Sequence, residues 1–172
     1  MFVNFSEYDF IMLIGLPGSG KSTLIGKEFS GDGYKVISTD EIRKELSGDV
    51  SDQGLNIKVW ELALQRSQNL LDLGYVVVLD ACNVHTLYRR NFMRDIFSRD
   101  DIVSCGILFD MVDIGVLYSR IRGDLDRGID RSDVPYDVLE RMRSDYEDTL
   151  NVIGDEDWDY LYRYSNGRLL NQ

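Results

Sequence analysis

The chain is expected to fold as an α/β protein, a central parallel β-sheet flanked by helices. Three observations predict this. Tyr75–Leu79, "YVVVL", is an unbroken β-branched run, as in strands buried on both faces. The apolar run at residues 8–14, "YDFIMLI", ends in a glycine-rich turn and then a helical stretch. Strand-like runs go on alternating with helical periodicity, the pattern that builds parallel sheets.

The elements follow in order. Residues 8–14 are a buried strand, and Lys21–Phe29 a helix. Tyr34–Ser38 is a second strand, and Asp40–Leu46 a short helix. In Asn56–Leu73, helical spacing of Trp60, Ala63, Leu64, Leu70 and Leu71 predicts a long helix. After the Tyr75–Leu79 strand, Thr86–Phe97 is helical, with Leu87, Phe92, Met93 and Ile96 toward the core. Val103–Phe109 is a strand and Asp113–Ile121 a helix. Pro135 suits the start of a further helix with Val138, Leu139, Met142 and Tyr146 as its stripe. Trp158–Tyr164 alternates and is expected to be the last strand. The 172 residues carry no repeat and no linker, so a single domain over residues 1–172 is expected.

Bulk properties exclude some functions. No apolar run reaches the ~18 residues of a membrane span, and "MFVNFSEYDF" lacks the basic start of a signal peptide. Cys82 and Cys105 sit among apolar residues and read as buried thiols of an intracellular, cytoplasmic protein. The net charge of -11 argues against a long basic surface for nucleic acid. The charge is uneven, however. Residues 86–99 hold four arginines (Arg89, Arg90, Arg94, Arg99) against one acid, while residues 144–172 hold seven acids and two bases. Any polyanion contact must therefore be short.

"GLPGSGKST" matches G-x-x-x-x-G-K-[ST] at Gly15, Gly20, Lys21 and Ser22. Its glycines, Gly15, Gly18 and Gly20, let the backbone turn tightly so that successive N–H groups, with Ser19 and Thr23 beside them, face phosphate oxygens. Lys21 is placed to reach β- and γ-phosphates, and the Ser22 hydroxyl to ligate magnesium. This predicts a P-loop NTPase or kinase fold. In an open parallel sheet, ligands bind outside the carboxyl ends of the strands. Asp40 and Asp80 follow two such strands. Asp80 suits magnesium; the alternative is a helix N-cap. Asp40 suits a general base that takes a proton from an acceptor hydroxyl, and Arg43, one turn on, a clamp for an acceptor phosphate. Their alternatives are an N-cap and a solvated charge.

"SRIRGDLDRGIDRSDVP", Ser119–Pro135, holds four arginines among Asp124, Asp126, Asp130 and Asp133. It reads as a lid over about residues 120–134, able to bring an arginine to the transferring phosphoryl group. The alternative is a solvated, self-paired loop. His85 reads as a turn or cap residue, and Arg89, Arg90 and Arg94 as a solvated helix face that could guide an acceptor backbone.

Taken together, "GLPGSGKST", "STDEIRKEL", "VVVLDACN" and a lid followed by "VPYDVLERM" resemble the P-loop kinase family of bacteriophage-type polynucleotide 5′-kinases, over about residues 10–150. The resemblance implies transfer of the γ-phosphate of ATP, with Mg2+, to a 5′-OH end of DNA or RNA. It implies phosphate and metal binding at Lys21 and Ser22, general-base work by Asp40, and a grip by Arg43 on the acceptor's 3′-phosphate. Asp80 would support the active-site network, and Arg127, with Arg120 and Arg122 as rivals, would contact the donor. Val134 and Pro135 would pack near the acceptor base. The lid gap between Arg127 and Pro135 is longer than the phage pattern, and Cys82 replaces a common threonine. A phage origin in a bacterial host and nucleic acid repair also follow from the resemblance; a homo-oligomer is left open. The competing expectation is a small-molecule kinase on the same scaffold, acting on a nucleoside, metabolite, antibiotic or sugar nucleotide. A third is a non-catalytic nucleotide-binding module.

Overall fold

A six-stranded sheet organises the chain, in the order β2-β3-β1-β4-β5-β6. The computed structural model describes residues 3–98 and 101–171. β1 (Phe10–Ile14), β2 (Tyr34–Ser38), β3 (Val76–Asp80), β4 (Ser104–Phe109) and β5 (Tyr160–Ser165) run parallel. β6 (Arg168–Asn171) pairs antiparallel with β5. β1 lies between β3 and β4, and all five of its residues are buried. That position explains its lack of polar side chains: both faces of a central parallel strand are covered.

The helices are α1 (Lys21–Glu28), α2 (Thr39–Ser47), α3 (Asn56–Asp72), α4 (Thr86–Ile96), α5 (Ile114–Asp126) and α6 (Tyr136–Val152). One face of the sheet carries Met12, Leu79 and Leu108 against Ile42, Val59, Phe92, Leu117 and Leu139, from α2 through α6. The opposite face is smaller. Ile11, Leu13, Val78 and Ile107 pack there against Leu24 and Phe29 beside α1, with Phe5 and Tyr8.

Several boundaries differ from expectation. β1 starts at Phe10; Tyr8 is a buried side chain whose hydroxyl hydrogen-bonds that of Tyr162 at 2.8 Å. β6 lies in a tail that carries no recognisable motif, and only the Asn166–Gly167 turn, both residues at positive φ, marks its hairpin. α5 continues to Asp126, so residues 120–126 of the expected lid are helix and the irregular segment is residues 127–135. Leu87 is 60% exposed instead of core-facing, whereas Arg89, two residues on, is buried. Arg99 lies outside the described residues. Cys82 and Cys105 are both free thiols, and burial pushes each above the usual thiol range.

Candidate active site

The parallel register brings the chemistry to one edge. Ser38 pairs with Asp80 at the ends of β2 and β3, and the Gly15–Gly20 loop leaves the end of β1 beside them. Gly20 caps α1 at φ +105°, a conformation a side chain would strain. Gly15 is fixed by space: a Cβ there would meet Phe109 Cβ at 2.8 Å. The loop is tied down from β3's side. The Gly15 N–H donates to the Cys82 carbonyl at 2.9 Å, and Asn83 Nδ2 donates to the Leu13 carbonyl at 2.7 Å. Asn83 reaches it from a left-handed backbone, φ +52°.

Lys21 is buried and donates from Nζ to the carbonyls of Gly15 (2.9 Å) and Leu16 (3.0 Å). Ser22 and Thr23 face solvent. Ser19 Oγ is buried without a hydrogen-bond partner, a hydroxyl left for a further group in the cradle. Burial pushes the Asp80 carboxyl above its ordinary range; Lys21 opposes this, and Asp40 and Glu41 add to it.

Neither aspartate is a helix cap. The N-cap of α2 is Ser38, whose hydroxyl accepts from the Glu41 N–H at 3.4 Å, and α4 begins only at Thr86, with His85 as its N-cap. Asp40 lies in the first turn of α2 with its side chain 47% exposed. Arg43 is not a solvated charge: it is buried, donating to Asp40 Oδ1 (2.6 Å), the Val50 carbonyl (3.3 Å) and Asn56 Oδ1 (3.1 Å). Its Nε is buried without a partner.

These groups line one crevice of about 1590 Å³, together with Gly18, Gly20, Lys21, Ser22, Thr23 and Asp80. Of the arginines at 120–131, Arg120 and Arg131 line it. Arg120 donates to the Gly18 carbonyl at 3.0 Å, and Arg131 to Asp124. Arg127, the expected donor contact, is instead the C-cap of α5, 66% exposed, and bound to Asp124 Oδ1 at 2.6 Å. Its short spacing to Asp124, (i, i+3) on one helix, favours that pairing. Arg122 pairs with Asp133.

One network escaped sequence reasoning. Arg89 donates to the Asn83 carbonyl (2.8 Å), Thr149 Oγ1 (3.0 Å) and both oxygens of Glu156, whose side chain is 1% exposed. An arginine on an apolar-periodic helix looks like surface; its distant partners Thr149 and Glu156, 60 and 67 residues away, help make it core.

The donor set fits a nucleoside triphosphate and magnesium. The cradle offers helix-terminal N–H groups, Lys21 and the open Ser22 hydroxyl, and Asp80 supplies a carboxylate to the same crevice. Among the described residues no group of three or more His, Cys, Asp or Glu side chains forms a metal cage. A hydroxyl, one carboxylate and substrate phosphates suit the magnesium of phosphoryl transfer better than a cage would.

Fold and site define a protein of the P-loop NTPase and kinase fold. The chain belongs to the AAA domain family, whose profile matches residues 10–149. No curated protein matches. Among solved structures, the chain is similar to one in the Pnkp1/Rnl/Hen1 RNA repair complex (17% identity, TM-score 0.70), covering 83% of this chain and 45% of that one. It thus spans less than half of that protein's length. It is also similar to a chain of the PezAT toxin–antitoxin system of Streptococcus pneumoniae (16%, TM-score 0.62, covering 94% and 70%). A gluconokinase from Sinorhizobium meliloti 1021 is similar as well (18%, TM-score 0.53, covering 89% and 81%). At these identities the likeness is one of fold. Among the described residues no helix is long and apolar enough to cross a membrane.

Proposed function

We propose that the chain is an ATP-dependent polynucleotide 5′-hydroxyl kinase acting on DNA or RNA ends. The observation that carries this reading is the Arg43–Asp40 pair (2.6 Å) in the crevice that holds Lys21 and Asp80. Bound ATP and Mg2+ would supply the phosphoryl group and neutralise charge on it. Lys21 and the backbone N–H groups of Gly18 and of Gly20 to Thr23 hold the donor phosphates. Ser22 and Asp80 hold the metal. Asp40 takes the proton of the acceptor hydroxyl, and its half-exposed carboxylate is accessible for that. Arg43 orients Asp40 and lines the crevice, where its guanidinium is the candidate partner of an acceptor phosphate. Arg120, beside Gly18, or Arg131 serves the donor in place of Arg127, with residues 127–135 as the lid. The likeness to a chain of an RNA repair complex supports a polynucleotide acceptor.

The net charge of -11 favours a second reading, a small-molecule kinase, and the likeness to a gluconokinase agrees with it. Labelled ATP, Mg2+ and either a 5′-OH oligonucleotide or a panel of nucleosides and sugars separate the two. Label is expected on the oligonucleotide end; label on the small molecules alone overturns the polynucleotide reading.

A further inference from the structure

The first turn of α4 presents two rings at the rim of the crevice. His85 is the N-cap of α4, yet its side chain makes no capping hydrogen bond. Its ring instead lies 4.4 Å from that of Tyr88, inclined by 31°. Both rings line the crevice, and Tyr88 is 67% exposed. An aromatic pair in that position contributes little to the core and offers a flat apolar face to an incoming group.

A second hollow of about 360 Å³ adjoins it, bounded by Leu87, Arg90, Asp145 and Asp148. His85 and Asp145 line both spaces, so the His85 ring stands where the crevice meets this hollow between α4 and α6. Arg90 is anchored there through Nε to Glu156 at 3.2 Å.

We propose that His85 and Tyr88 form a stacking site for a nucleobase of a single-stranded acceptor, one nucleotide inward from the 5′ end that receives the phosphoryl group. This rests on the polynucleotide reading above and deepens it. The occupant follows from chemistry. Stacking on aromatic side chains is how single strands are held without base pairing, and it tolerates any base. The walls carry two carboxylates, Asp145 and Asp148, against one cation, Arg90, which disfavours a phosphate-dense duplex there. The same carboxylates can accept from exocyclic amino groups, as acidic side chains do from cytosine. On this placement an acceptor of one nucleotide ends before the slot, and only longer acceptors use it.

The test compares wild type, Tyr88→Ala, Tyr88→Phe and His85→Ala on two 5′-OH acceptors, a 3′-phosphorylated mononucleoside and a single-stranded trinucleotide. For Tyr88→Ala the ratio of KM for the trinucleotide to KM for the mononucleoside is expected to rise about tenfold, with Tyr88→Phe restoring it. A trinucleotide with 2-aminopurine at its second position reads stacking directly, through quenching present in wild type and Tyr88→Phe and absent in Tyr88→Ala. An active wild type whose KM ratio and quenching survive Tyr88→Ala overturns the stacking site alone. A wild type that phosphorylates neither acceptor overturns the polynucleotide reading and this one with it.

Discussion

The phosphate cradle and the segment at residues 127–135 line the same crevice and are held by opposite means. In the cradle, every anchor ends on backbone: Lys21 on the carbonyls of Gly15 and Leu16, Cys82 on the Gly15 N–H, Asn83 on the Leu13 carbonyl. At 127–135, charged side chains dominate. Lys44 pairs with Asp130, both 56% exposed, and Arg122 with Asp133. Two polar contacts to the α2–α3 connection add to them, Ser132 Oγ to the Val50 carbonyl and the Asp133 N–H to Ser51 Oγ. Buried backbone anchors are costly to break, whereas exposed ion pairs are worth ~0–1 kcal/mol each. The cradle is therefore held by the stronger contacts, and the segment across from it mostly by exposed pairs, with Arg131 and Asp124 the more buried exception.

The sharpest way to break this contrast is through the buried pair behind the cradle. Glu156→Ala leaves Arg89 charged, buried and unpaired, which is expected to cost about 3–5 kcal/mol in a urea melt. A loss below about 1 kcal/mol would put this pair in the same class as the exposed ones. Lys21→Ala should lower kcat by about 10²–10³-fold or more, since it removes a positioned charge from the transferring group. Transfer within tenfold of wild type in a labelled-ATP assay would contradict the cradle assignment.

Asp80 sharpens the contrast through pH. Burial raises its carboxyl above the ordinary 3.8 in the fold. The native state then holds the proton more tightly than the unfolded chain, so stability falls as pH rises from 3.8 to the raised native value. Asp80→Asn should consequently melt higher than wild type at pH 7, with the gap closing as pH drops to the ordinary carboxylate range, while Mg2+-dependent transfer falls. A lower melting temperature at pH 7 would show that the carboxylate stabilises the fold. The smallest effect belongs to Lys44→Ala, expected to leave the midpoint of a urea melt unchanged. A clear drop in that midpoint would place residues 127–135 with the firmly held part of the molecule.

The same contrast explains what could be read in advance. The cradle, the five parallel strands and the placement of Asp40 and Asp80 were legible because local rules govern them. Glycine spacing, β-branched runs and strand-end position act within a few residues. Long-range pairing was not legible. Arg89 looked solvated because its partner Glu156 is 67 residues away. Arg127 looked like the lid arginine because the expected helix ended at Ile121, which hid its (i, i+3) spacing to Asp124. Extension of α5 to Asp126 was hidden because Gly123, a poor helix former, is accommodated inside the helix. β6 was missed because "RLLN" is too short for alternation to register.

The central claim is that one carboxylate in this crevice does acid–base work on an acceptor while the cradle holds the donor. Asp40→Asn tests it most directly, with ATP affinity and single-turnover phosphoryl transfer measured on the same preparation. The account predicts unchanged ATP affinity and transfer slowed by about 10²–10⁴-fold. Transfer at close to the wild-type rate would contradict it.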